Sequence, residues 1–107
     1  MEVVDQEPHS WFLFKLGDNF LISANCEFSF VGYDFIMFLS EGEVIKFKEL
    51  GHEYLNELAN AINFSVPISK TSKSIYKDRN VSDEYSEKSL DAVEHWRKSN
   101  EQLGTAT

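Results

Sequence analysis

The chain has 107 residues and a mass of 12.4 kDa, the size of one ordinary domain, which excludes an enzyme built from separate cofactor and substrate modules. Hydrophobic residues make up 42% and aromatic residues 14%, with only two prolines, enough apolar side chain to fold without disulfides or a structural metal. Eighteen acids against ten bases leave a net charge of -8, which repels phosphate backbones and anionic lipid and points to a basic partner instead of nucleic acid or membrane.

Met1 to Ser10 carries Glu2, Asp5 and Glu7 where a secretion signal needs positive charge followed by an apolar core, and residues 1–9 are expected to fray, as are residues 99–107. The ordered part is then one domain over residues 9–98. Trp11-Phe12-Leu13-Phe14-Lys15-Leu16 reads as a strand closed by the turn residues Gly17-Asp18-Asn19. Phe20 to Ala24 and Glu27 to Leu39 follow as strands, with Asn25-Cys26 as the turn between them and Gly32 as a bend or bulge. The third strand is apolar on both faces: Val31, Tyr33, Phe35, Met37 and Leu39 share one, and Phe28, Phe30, Ile36 and Phe38 share the other with Asp34. That second face calls for more protein, a second copy or a partner to cover it.

Ser40-Glu41-Gly42-Glu43 has the Ser-to-Glu spacing of a capping box, so a helix is expected to begin there. Val44, Ile45, Phe47 and Leu50 form a short apolar segment that Gly51 kinks or ends. Leu55, Leu58, Ala59 and Ile62 then fall at i, i+3, i+4 and i+7, the stripe of a helix lying on a sheet. Residues 65–80 are rich in Ser, Lys and Thr around Pro67, and Lys70, Lys73, Lys77 and Arg79 make them a cationic surface connection. Ser82-Asp83-Glu84 caps a last helix with Tyr85, Ser89, Ala92 and Trp96 on one face. The fold class is therefore α+β, an antiparallel meander of three or more strands packed with two to three helices.

Catalytic chemistry finds little support. His52-Glu53-Tyr54-Leu55-Asn56 starts like a zinc-protease helix, but Asn56 stands where the second histidine ligand is required, so no metal site is expected. No phosphate loop or dinucleotide fingerprint is present, and no cofactor is implied. Cys26 is the only cysteine, which precludes an internal disulfide and fits a reducing, cytoplasmic compartment; it reads as a structural thiol. Two acids stand out. Asp34 interrupts an apolar strand face, where it reaches a sheet edge, pairs with a base of its own chain, or receives a partner's base. Asp91 and His95 sit at i and i+4, a spacing that more often gives a surface pair than a general base.

Charge is the stronger signal. Residues 1–57 hold eleven acids against three bases. Glu49, Glu53 and Glu57 fall at i, i+4 and i+8, so one continuous helix would set them in a row about 6 Å apart. Glu41 and Glu43, with Glu27 and Asp18, would extend the row at the same end of the fold. Such a row suits a groove made for a phosphate backbone, and Tyr33, Tyr54 and Trp11 are candidate aromatic anchors beside it.

His9-Ser10-Trp11-Phe12, Asn25-Cys26, Gly32-Tyr33-Asp34-Phe35, Gly51-His52-Glu53-Tyr54-Leu55-Asn56-Glu57-Leu58-Ala59, Tyr76-Lys77-Asp78-Arg79-Asn80 and Ala92 through Trp96-Arg97 together resemble the small immunity proteins of bacterial contact-dependent growth inhibition, over residues 9–98. The shared segments belong to the framework and transfer no site residues. The resemblance implies a cytoplasmic, non-enzymatic antidote that binds the C-terminal toxin domain of an adhesin delivered by a neighbouring cell, many such toxins being nucleases, tRNA-cleaving ones included. Two other classes stay open: a small enzyme or metabolite-binding protein with a pocket near Asp34 or His95, and a homodimer closed through the second sheet face.

Overall fold

The computed structural model describes residues 1–69 and 71–105. Four antiparallel strands, β1 (Glu2–Glu7), β2 (Trp11–Leu16), β3 (Asn19–Phe28) and β4 (Val31–Phe38), form one sheet in the order β1-β2-β3-β4. Helices α1 (Glu41–Leu50), α2 (His52–Phe64) and α3 (Ser82–Thr105) complete an α+β fold.

The N-terminus does not fray as expected. Residues 2–7 add a fourth strand, with Val3 opposite Phe14, Asp5 opposite Leu13 and Glu7 opposite Trp11. A bulge between Val3 and Asp5 flips the alternation there. Val3 consequently faces α3, while Asp5 and Glu7 face α2. At the other end α3 runs through Thr105, and residues 106–107 lie outside the described residues.

The two sheet faces are covered by different helices. On one face Trp11, Leu13, Ile22, Ala24, Cys26, Phe35 and Met37 pack with Leu55, Leu58, Ala59 and Ile62 of α2, the stripe that the spacing predicted. On the other, Phe14, Leu21 and Ile36 pack with Ala92 of α3, flanked by Val3, Phe12, Phe38, Tyr85 and Val93. Phe38 meets Tyr85 edge-on at 5.3 Å and Phe12 meets Trp96 at 5.6 Å. The second apolar face is thus closed by the chain's own last helix. Toward the β3–β4 turn this face becomes polar, with Ser23, Asn25, Glu27 and Asp34, and there Asn25, Glu27 and Asp34 are exposed.

The β3–β4 connection lies elsewhere than expected. Asn25 and Cys26 continue the strand, paired with Asp34 and Tyr33, and Gly32 pairs in register with Glu27. The turn is Ser29-Phe30, at φ 52° and 69°, a two-residue loop with both residues left-handed and neither of them glycine.

Ser40 caps α1 through the full capping box, its hydroxyl accepting from Glu43 N–H while the Glu43 carboxylate accepts from Ser40 N–H at 2.8 Å. Gly51, at φ 71° and ψ -145°, ends α1 and starts α2 in a direction that a side chain would disfavour. The free side of β4 is sealed by the segment before α3. Val81 N–H donates to Ile36 C=O at 2.8 Å, Ile36 N–H donates to Ser82 Oγ at 2.9 Å, and Arg79 donates to Phe38 C=O at 2.7 Å.

Candidate functional site

The break at Gly51 removes the expected carboxylate row. Glu49 belongs to α1, whereas Glu53 and Glu57 lie one turn apart on α2, so no continuous helix aligns all three. All three are exposed, as is Glu41. Glu43 is engaged within the chain. Its carboxylate takes two bonds from the Arg79 guanidinium, one at 3.0 Å, in addition to the capping-box bond from Ser40. Burial alone would raise the Glu43 carboxyl, but the hydrogen bonds from Arg79 and Ser40 outweigh it and hold the group below the usual glutamate value. Arg79, read as part of a solvated cationic connection, therefore turns inward, where its guanidinium also lies 5.9 Å from the centre of the Tyr76 ring.

The aromatic candidates pack into the fold. Trp11 is buried, and its indole N–H donates to Asn56 Oδ1 at 2.9 Å. Tyr33 packs against the α2-side core with its hydroxyl oxygen buried and unbonded, beside the Cys26 thiol and the Ile68 backbone; burial first, and Cys26 second, push that phenol up to about 12. Tyr54 packs against the same core, and burial raises its phenol too. Cys26 is buried, and its thiol is pushed up to about 11, chiefly by desolvation, so at neutral pH it stays protonated and unreactive.

His52, the first residue of the rejected zinc motif, has a structural task. Its Nδ1 lies 3.1 Å from Asp5 Oδ2 and its Nε2 lies 2.8 Å from Glu7 Oε2, so both ring nitrogens face carboxylates. Two acceptors call for two donors, which only the imidazolium supplies. The bond to Glu7 raises the His52 pKa most, ahead of the desolvation that opposes it and the bonds to Asp5. The ring also lies 4.9 Å from that of Trp11. Asp5 and Glu7 are thereby used to clip β1 to α2. Among the described residues no group of three or more His, Cys, Asp or Glu is placed to hold a metal ion. His95 and Asp91 are both exposed on α3.

Two features remain for recognition. The first is a half-open cavity of about 560 Å³ between α3 and the polar end of its sheet face. Its floor includes Phe12, Ser23, Asn25 and Asp34, and α3 contributes a wall that includes Leu90, Val93, Trp96 and Arg97; His95 does not line it. The second is the β3–β4 turn, where Phe30 is fully exposed at 107%. Phe28 and Val31, opposite each other in the hairpin, are exposed as well, and so is Phe64 at the end of α2, next to Asn63, whose Oδ1 accepts from Glu27 N–H at 3.0 Å.

Sequence reasoning singled out Asp34 but missed this aromatic tip, because it placed Phe28 and Phe30 inside one long strand. Ser29 is the one polar residue in the run Phe28-Ser29-Phe30-Val31, too weak a mark to separate a turn from a strand. Among the described residues no helix is long and apolar enough to cross a membrane. No protein-family model, curated protein or solved structure matches this chain.

Proposed function

We propose that this chain is a non-enzymatic immunity protein of the contact-dependent growth inhibition type, which binds the C-terminal toxin domain of an adhesin in the cytoplasm and covers its basic active-site groove. The observation that carries the proposal is the acid surplus of -8 together with exposed Glu41, Glu49, Glu53 and Glu57 on the helical layer and exposed Asp34 across the sheet. A nuclease, tRNA-cleaving ones included, must present cations to phosphates, and an acidic surface neutralises them with no chemistry of its own. The placement of two reactive side-chain types supports a binder: Cys26 is a buried, protonated thiol, and His52, the first residue of the zinc-protease-like fragment, is held between two carboxylates.

The test is coexpression with the basic domain encoded at the end of an upstream adhesin gene. A stable complex that weakens with salt, and survival of cells producing the toxin domain, are the expected results. A purified chain that ignores every such domain encoded beside its gene, or cells that die with it as readily as without it, would end the proposal. One observation favours a second reading, a small enzyme or metabolite-binding protein: the 560 Å³ cavity beside Asp34 has the size of a small-ligand site. Turnover, or ligand-dependent melting of the isolated chain, would select it.

A further inference from the structure

We infer that the contact face runs from the α3 side of the sheet, where the groove beside Asp34 receives an arginine or lysine side chain of a cationic protein, to the tip of the β3–β4 hairpin, where Phe30 enters an apolar pocket on that protein. This placement presupposes the immunity reading and moves its contact away from the α2 carboxylates.

Three independent features converge there. The groove is concave, with Phe12, Leu90, Val93 and Trp96 to cover a methylene stem and Asp34, flanked by Asn25 and Ser23, to meet the charged head. Its lining is acidic on balance: Asp34 on the sheet and Glu94 on the α3 wall stand against Arg97, with His9 at the rim, and Glu27 lies on the same sheet face beyond it. The neighbouring turn is strained, because Ser29 and Phe30 both hold left-handed backbone that glycine or asparagine adopts at much lower cost. The β3–β4 ladder holds the turn closed, but the Phe30 side chain, fully exposed, adds no packing to offset that strain. A rigid aromatic held out into solvent is the form of an interface anchor.

The charge also selects the occupant. A second copy would bring another -8 chain and its own Asp34 and Glu27 to the same contact, whereas a cationic protein complements them. The α2 helix, by contrast, offers Glu53 and Glu57 as exposed side chains that line neither this groove nor the pocket beside Asp18, a placement that steers approach more than it anchors a complex.

The experiment measures binding kinetics between the full chain and the purified C-terminal domain of the upstream adhesin. Asp34→Asn and Phe30→Gly are each expected to weaken affinity by about 30-fold or more, mainly through faster dissociation. The double reversal Glu53→Lys, Glu57→Lys should slow association and change the dissociation rate by less than about threefold. Phe30→Gly should at the same time keep or raise the thermal midpoint, so its lost affinity is not lost folding.

If wild type binds while Asp34→Asn and Phe30→Gly bind within about threefold of it, the contact lies elsewhere; the inference fails and the immunity reading stands. Should wild type neither bind nor protect, the immunity reading fails and this placement falls with it. Two further results would overturn the occupant: self-association abolished by Phe30→Gly, which assigns the face to a second copy, and stabilisation of the free chain by about 1 mM agmatine that Asp34→Asn removes, which assigns the groove to a small cation.

Discussion

Replacing Arg79 by Gln tests whether the pair it makes with Glu43 holds the helical layer to the free side of β4. The substitution removes two charge-assisted bonds to Glu43, the bond to Phe38 C=O and the contact with the Tyr76 ring. The Glu43 side chain is only 13% exposed and the Arg79 side chain 31%, so the pair stands between a surface ion pair and a buried one. Surface pairs contribute about 0–1 kcal/mol and breaking a buried pair costs about 3–5, which places Arg79→Gln near 2–3 kcal/mol. With a urea dependence of about 1.5 kcal/mol per molar, the unfolding midpoint drops by about 1.3–2 M. The loss should depend on pH. Because the folded Glu43 carboxyl is held below the ordinary value of 4.5, stability that depends on its charge is present above that value and lost as pH falls through the folded one. Urea titrations of wild type, Arg79→Gln, Glu43→Gln and the double variant should therefore give a coupling of about 1–2 kcal/mol at pH 7 that falls toward zero as acid protonates the folded Glu43 carboxyl. A coupling below about 0.5 kcal/mol at pH 7, or one unchanged in acid, would refute the reasoning.

Three further outcomes follow from the same geometry. The His52 pKa is raised in the fold, so its clip to Asp5 and Glu7 stabilises most fully below about pH 6.5 and is lost as pH rises through the folded value; amide protection in β1, taken relative to the intrinsic exchange rate at each pH, should fall over that rise in wild type and be low throughout in His52→Ala. Since the pair is well exposed to solvent, the global effect should stay within about 1 kcal/mol. Gly51→Ala should cost about 1 kcal/mol or more in denaturant unfolding, because φ there is 71°, while Phe30→Gly should gain about 1 kcal/mol by relieving the turn. Cys26 should resist a thiol-specific disulfide reagent in the native state and react only as the chain unfolds, so its labelling rate should rise with urea.

Local patterns carried much of the fold. The Ser40–Glu43 capping box and the Leu55, Leu58, Ala59, Ile62 stripe each lie within a few turns, and both appear as read. The Trp11 to Leu16 run likewise forms its strand. What escaped depends on partners far apart in the chain. β1 looked like an acidic tail because Asp5 and Glu7 acquire their role only when His52 arrives from α2. Arg79 looked solvated because its partner Glu43 lies 36 residues earlier. The Ser29-Phe30 turn lacks the glycine or asparagine that usually marks a left-handed pair, so the residues around it read as continuous strand. Asp34 was conspicuous in sequence for interrupting an apolar face; that α3 leaves its end of the face open is a tertiary outcome.

Bonds to Asp34, Ile36 and Phe38 cover the outer side of β4 from its middle to its end, which leaves one margin of the sheet without such a cover among the described residues. That margin is β1, and there the bulge at Val4 breaks the straight ladder that templated growth requires, while Asp5 and Glu7 tie the strand down through His52. Fibrillar assembly of the native protein would have to begin by releasing that tie.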